Sequence, residues 1–170
     1  MGSERRPVLN ESAVEDDVKI LARNRRARHD YSIEEDFEAG IVLEGSEVKS
    51  IRAGRASIAE AYVRISEGGA WVVGMHVARY KPAGAFQPDE TRSRRLLLHE
   101  REIRVLAVGV ERRGMSIIPL ELYLRGKLVK LRIGLGRGKR QYDKRQELRR
   151  REDERAAQRA RSYRHGSDDR

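Results

Sequence analysis

The chain contains no cysteine in its 170 residues, which excludes disulfide staples and thiolate metal sites alike. Its four histidines, at 29, 76, 99 and 165, are too scattered for the His-x-x-x-His spacing of a helical metal site, so no metal is expected. Aromatic residues make up only 5% of the chain, and hydrophobic residues at 38% are matched by 38% charged, so the core must be modest and part of the chain must lie outside it. No apolar run approaches the roughly 20 residues of a membrane span. Met1 to Asn10 lacks the apolar centre of a signal peptide, and the expected location is the cytoplasm, away from membranes. A phosphate-binding P-loop is missing too. Gly134-Leu135-Gly136-Arg137-Gly138-Lys139 lacks the spacing and the following helix, and its glycines read instead as a flexible hinge.

What the chain does have is positive charge, +10 overall, and its location is informative. Residues 1–17 carry two basic and five acidic side chains, residues 18–136 carry 22 and 15, and residues 137–170 carry 13 and 7. Within the last segment, 137–151 alone holds eight basic and two acidic residues. A basic body followed by a concentrated basic stretch is the electrostatic footprint of a nucleic-acid binder, although a soluble basic protein with a sticky tail has the same composition. The shifts in composition divide the chain into a disordered segment 1–17, a folded domain 18–136 and a basic tail 137–170.

The folded part is organised around Phe37 to Gly54. Phe37-Glu38-Ala39-Gly40-Ile41-Val42-Leu43 reads as a strand, with Gly40 where a side chain would block a close approach. Ser46 to Ile51 reads as a short helix capped by Ser46, with Gly54 in the left-handed position that closes it. Val18, Ile20 and Ala22 alternate as a strand, and Arg23 to Arg28 is a dense basic patch. Ile58–Ile65 and Ala70–Val77 form a hairpin around Glu67-Gly68-Gly69. Lys81–Arg95, with Pro82, Gly84 and Pro88, is a long surface loop. A helix is expected over Leu98–Arg113, with Ile103, Leu106, Ala107 and Val110 inward and Gly114 ending it. Ser116–Leu124 and Leu128–Leu135 form a second hairpin, in which Leu120, Leu122 and Leu124 share a face and Pro119 marks an edge or bulge. The tail from Asp143 to Tyr163 is rich in helix formers, but Leu148 is its only large aliphatic residue, so it lacks a stripe with which to dock. Mostly coil is expected in isolation, becoming helical where phosphates neutralise the arginines.

Ala27-Arg28-His29-Asp30-Tyr31, Phe37-Glu38-Ala39-Gly40-Ile41 and Glu47-Val48-Lys49-Ser50-Ile51-Arg52-Ala53-Gly54-Arg55-Ala56 closely resemble the SsrA-binding protein (small protein B) family of ribosome rescue. Arg95-Leu96-Leu97-Leu98-His99 with Arg101-Glu102-Ile103, and Gly136-Arg137-Gly138-Lys139-Arg140 with Tyr142-Asp143-Lys144-Arg145, continue it in order and spacing. The resemblance runs from about Val18 to Arg151. It implies a mainly β fold, a small closed OB-like β-barrel with appended helices and a basic tail that is helical on the ribosome. It further implies an adaptor without enzymatic activity or cofactor that binds the tRNA-like domain of transfer-messenger RNA. Its partners would be that RNA, the ribosome with its small-subunit RNA and, through the RNA complex, elongation factor Tu with GTP and alanyl-tRNA synthetase, the protein itself being a monomer.

On the barrel, Arg25, Arg26, Arg28 and His29 supply charge and a stacking ring. Glu38 would accept hydrogen bonds from bases or 2′-hydroxyls, which Lys and Arg cannot do. Leu97 and His99 fall in a second contact block, with His99 where many members carry Asn. In the tail, Lys139, Arg140, Asp143, Lys144 and Arg145 surround Tyr142, which would stack on a ribosomal RNA base while the cations meet phosphates. The residues alone leave plainer readings open: His29 ordered by Asp30, Glu38 a solvated strand residue or partner of an arginine, Leu97 core, His99 the N-terminal residue of a helix, and the tail a solvated linker. Two rival functions also stand, a general ribosome-assembly RNA binder anchored by its tail and a small ribonuclease using His29 and Glu38 as acid and base.

Overall fold

The computed structural model describes residues 17–165, with only the helical backbone for 141–144 and 162–165; the disorder expected for 1–17 falls, but for Asp17, outside the described residues. Strand β1 (Val18–Arg23) leads through one turn, α1 (Ala27–Asp30), into β2 (Tyr31–Ile41) and helix α2 (Gly45–Arg52). The short β3 (Ala56–Ser57), the hairpin β4 (Tyr62–Ser66) and β5 (Gly69–Val73), and the short β6 (His76–Val77) follow. After the loop come β7 (Arg94–Leu97), α3 (Glu100–Arg113), the long hairpin β8 (Ser116–Arg125) and β9 (Leu128–Gly138), and α4 (Lys139–His165). The protein is mainly β. Among the described residues the strands run β8–β4–β5–β7–β2–β9 and β9 pairs back onto β8, so that they close an antiparallel ring, with β1 added along β8. Closure leaves few sheet edges exposed. Its thinnest seam is β4–β8, joined by the single pair Val63–Ile117.

Local chemistry explains most of the boundaries. Glu67 and Gly68 both take positive φ (51° and 71°), as the two-residue turn of a right-twisted hairpin requires. Helix α2 starts two residues earlier than a Ser46 cap would place it. Glu44, not Ser46, is the N-cap, and its N–H donates to the Glu47 carboxylate at 3.0 Å. Helix α3 likewise begins at Glu100 with His99 as N-cap, and its buried face is Leu106 and Gly109 rather than a stripe reaching Val110, which is exposed. Gly109 is required there because a Cβ would sit 2.7 Å from Leu135 Cδ2.

Alternation along β8 is broken at the bulge between Pro119 and Glu121. Leu122 therefore packs inside the ring with Leu131 and Ile133, whereas Leu120 packs on the other side with Ala27 and Ile118. The expectation that Leu120, Leu122 and Leu124 share a face fails for this reason, while Pro119 lies at the bulge as expected. The hinge assigned to Gly134 and Gly136 is also corrected. Both lie within β9, where a Cβ would fall 2.9 Å from Ile33 Cγ2 and 2.5 Å from the Ser32 carbonyl, so they permit close strand packing rather than motion. The tail, expected as coil alone, continues from β9 as the 27-residue α4. It consists of strong helix formers and carries an Arg150–Glu154 pair one turn apart (3.7 Å).

Residues 81–93 lie at the surface as expected, but the loop ends sooner than Arg95: Arg94, the first residue of β7, is fully buried. Its Nε donates to Glu47 Oε2 at 2.6 Å, and its Nη atoms donate to the carbonyls of Met75, Arg92 and Glu90. Arg92 reaches the other oxygen of Glu47. Burial alone would raise the Glu47 carboxyl, but the hydrogen bonds from Arg92, the Glu44 N–H and Arg94 outweigh it and hold the group below its ordinary value. A carboxyl depressed in this way stabilises the fold fully above its unfolded pKa and loses that contribution as pH falls through the folded one. Glu47→Ala, which strands a buried guanidinium, is expected to cost about 3–5 kcal/mol in denaturant unfolding at neutral pH. The gap between the two proteins should narrow as the pH is lowered through the acidic range.

Candidate nucleic-acid interface

Strand β2 is the spine of the candidate surface. Its pairing with β9 sets Glu38 opposite Arg132 and Gly40 opposite Lys130; β9 in turn sets Lys130 opposite Tyr123 and Arg132 opposite Glu121 of β8. On its other side Gly40 pairs with Leu97 of β7. Opposed residues share a face and alternate residues return to it, so Glu38, Arg132, Tyr123 and Leu97 all belong to one face of the ring. Gly40 gives Leu97 its place: a Cβ at Gly40 would lie 3.2 Å from Leu97 Cβ. Leu97 is 56% exposed, although its composition would put it in the core. Strand parity explains this, since its neighbour Leu96 is the one that is buried. His99 follows two residues on, exposed at the start of α3, with its N–H donating to Glu102 at 2.8 Å. Glu38 and Leu97, far apart in sequence, are thus brought to one face of the ring, and His99 stands exposed just beyond the end of β7.

Glu38 is not a free carboxylate. It accepts a hydrogen bond from the Tyr123 hydroxyl on Oε2 and from Arg125 Nη1 at 2.9 Å on Oε1. The Arg132 guanidinium stands 5.7 Å from the centre of the Tyr123 ring. Burial and the neighbouring Glu38 carboxylate push the Tyr123 phenol up to about 12, so it remains a donor throughout the neutral range. Tyr123, Arg125 and Arg132 were missed by the sequence reading. The alternation Glu121-Tyr123-Arg125 along an otherwise leucine-rich strand was the available signal.

A second group gathers at the other end of β2. Arg25, Arg26, Arg28 and His29 are all exposed on and just before α1, and none of the three arginines makes an ion pair among the described residues. Buried Ala27 fixes the turn to the sheet. His29 Nδ1 lies 3.0 Å from Asp30 Oδ1, the plain reading left open by the sequence, and this hydrogen bond holds the Asp30 carboxyl below its ordinary value. His29, Asp30 and Tyr31 line a cleft with Gly138, Lys139 and Arg140. The basic turn and the root of the tail are therefore neighbours. Arg145 is exposed further along α4, and the side chains of Tyr142, Asp143 and Lys144 lie outside the described residues. His29 and Glu38 are not brought together: seven residues of strand, roughly 20 Å, separate Tyr31 from Glu38. Among the described residues no cluster of His, Asp and Glu is built to hold a metal ion, and no helix is long and apolar enough to cross a membrane.

A family model described as SmpB protein matches residues 21–163. The SsrA-binding protein of Roseiflexus sp. (strain RS-1) is 54% identical over 143 residues, covering 84% of this chain and 90% of that one. That of Oleidesulfovibrio alaskensis is 49% identical over 140 residues, covering 82% and 90%. Among solved structures, a chain of "tmRNA-SmpB: a journey to the center of the bacterial ribosome" is similar at a TM-score of 0.58 and 41% identity, over 68% of this chain and 82% of that chain.

The exposed arginines around α1 should act on RNA through phosphate charge. Replacing Arg25, Arg26 and Arg28 together by Ala is expected to flatten the fall of log affinity with log salt by about 2–3, close to one unit per lost contact. Titrations between about 50 and 200 mM salt measure this; an unchanged slope would remove the three arginines from the interface.

Proposed function

The chain belongs to the SmpB protein family, and from that premise we propose that it is the RNA-binding adaptor of ribosome rescue, which binds transfer-messenger RNA through its tRNA-like domain and brings it to ribosomes stalled on mRNA without a stop codon. One observation above all supports the reading. In a chain of this family, Glu38 and Leu97 share one face of the ring, an oriented acceptor and an exposed apolar contact, and the exposed His99 follows two residues after Leu97. Such a face reads unpaired bases and 2′-hydroxyls. The cations around α1 supply the sequence-independent attraction.

The tail serves the ribosome rather than the RNA. Lys139, Arg140, Lys144 and Arg145 meet phosphates of small-subunit RNA in the vacant mRNA channel near the decoding centre, Asp143 lies among them, and Tyr142 stacks on a base. Elongation factor Tu with GTP and alanyl-tRNA synthetase act on the protein through the RNA complex. The protein works in the cytoplasm as a monomer, without cofactor and without catalysing a reaction. Against the ribonuclease alternative stands the separation of His29 from Glu38.

Glu38→Ala should weaken binding of the tRNA-like domain by about 1–3 kcal/mol, the range of a good base contact. The loss should be nearly independent of salt, because no phosphate charge is involved; an unaltered affinity in the folded variant would leave Glu38 only as the partner of Tyr123 and Arg125. For the tail, the informative cut follows Gly138, where β9 ends and pairs with Tyr31. Removal of residues 139–170 is expected to spare binding of transfer-messenger RNA and abolish tagging on reconstituted stalled ribosomes. Loss of both together would make the tail an RNA anchor.

A further inference from the structure

An exposed glutamate with three rotatable side-chain bonds is a poor instrument for reading a base, because it must be ordered each time it binds. Glu38 has been ordered in advance. Tyr123 is 1% exposed, so its ring is fixed by packing, and its hydroxyl can point in few directions. Through the register Tyr123–Lys130–Gly40, the phenol reaches across β9 to the β2 side chain two residues before Gly40, which is Glu38. Arg132 lies over the same ring. Arg125, a longer and partly exposed side chain, takes the other carboxylate oxygen. Each oxygen can accept more than one hydrogen bond, so both retain acceptor capacity toward solvent after these contacts are made.

We propose that Tyr123 is the positioning residue of this interface: its packed phenol holds the Glu38 carboxylate in the orientation in which it accepts hydrogen bonds from the bound RNA. The proposal rests on the reading of Glu38 as an RNA contact. The donors it serves are base amino or imino groups or a ribose 2′-hydroxyl, since phosphate offers none. Ordering the acceptor before binding removes that cost from the binding step, which is how a residue that never touches the ligand raises affinity.

The test is a double-mutant cycle on the full chain, with a transcript of the tRNA-like domain as the probe. Tyr123→Phe keeps the ring and removes the donor. It should weaken binding about five- to tenfold in the native background, yet less than about twofold when Glu38 is already Ala. Equal losses in both backgrounds would show that Tyr123 acts through the fold, and no loss in the native background would show that it does nothing; either overturns the proposal. Should Glu38→Ala itself leave affinity unchanged, the interface reading and the positioning role fall together, an outcome distinct from the other two. A second variant avoids any change in the packed ring. Glu38→Asp keeps the charge on the surface but draws the carboxylate back from the phenol. Affinity as poor as that of Glu38→Ala is expected, and native affinity would overturn the role of position.

Discussion

A single buried carboxylate, Glu47, ties the start of α2 to the connection that leads into β7. It takes two guanidinium groups, those of Arg92 and Arg94, and its own helix cap closes on it from Glu44. Through Arg94 the same group reaches the carbonyls of Met75, Arg92 and Glu90, so the long connection between β6 and β7 is gathered onto the end of α2. Two consequences travel down the chain. The path into β7 is fixed, and with it the parity that buries Arg94 and Leu96 and turns Leu97 outward. A buried charge of this kind is expensive unless fully satisfied, which is why its partners come as a set.

The candidate recognition surface is built on a contrast between held and unheld charge. The arginines around α1 make no ion pairs among the described residues and stand in solvent, where they attract any phosphate backbone. Glu38 is gripped from two sides, and its neighbours Arg132 and Glu121 approach each other at 3.9 Å. Loose cations give attraction without sequence information; a fixed acceptor gives discrimination. The two stand toward opposite ends of one strand, which under the proposed reading would let a folded RNA engage both at once.

Much of the fold could be read from the sequence because its signals are local: the two hairpins, the left-handed glycines after α2 and α3, and the existence of strand β1, although a bulge between Ile20 and Ala22 breaks its alternation. What could not be read depends on contacts between distant segments. The bulge at Pro119 shifts parity by one residue, and alternation then misassigns Leu120. Gly134 and Gly136 look like a hinge until Ile33 and Ser32 are seen against them. Glu47, written between a glycine-serine pair and a valine, gives no hint that two arginines more than forty residues away converge on it. At the candidate site, Glu38, Leu97 and His99 stood out through family blocks, whereas Tyr123 and Arg125 required the strand register. The tail was judged by what it lacks, an apolar stripe, which bears on docking and not on whether its helix formers stay helical.

Strand β9 passes into α4 without a loop, Gly138 ending one and Lys139 opening the other. A helix rooted this way is a pointer whose aim is set by the sheet. Its 27 residues extend about 40 Å at ~1.5 Å per residue, so a rotation of about 10° at the root displaces the far end by roughly 7 Å. The root is a paired strand with tightly packed glycines just upstream, so the helix leaves the ring in a direction that the sheet fixes. Gly138 pairs with Tyr31 at the start of the strand that carries Glu38, so the proposed recognition face and the direction of the tail are set by the same pairing of β2 with β9.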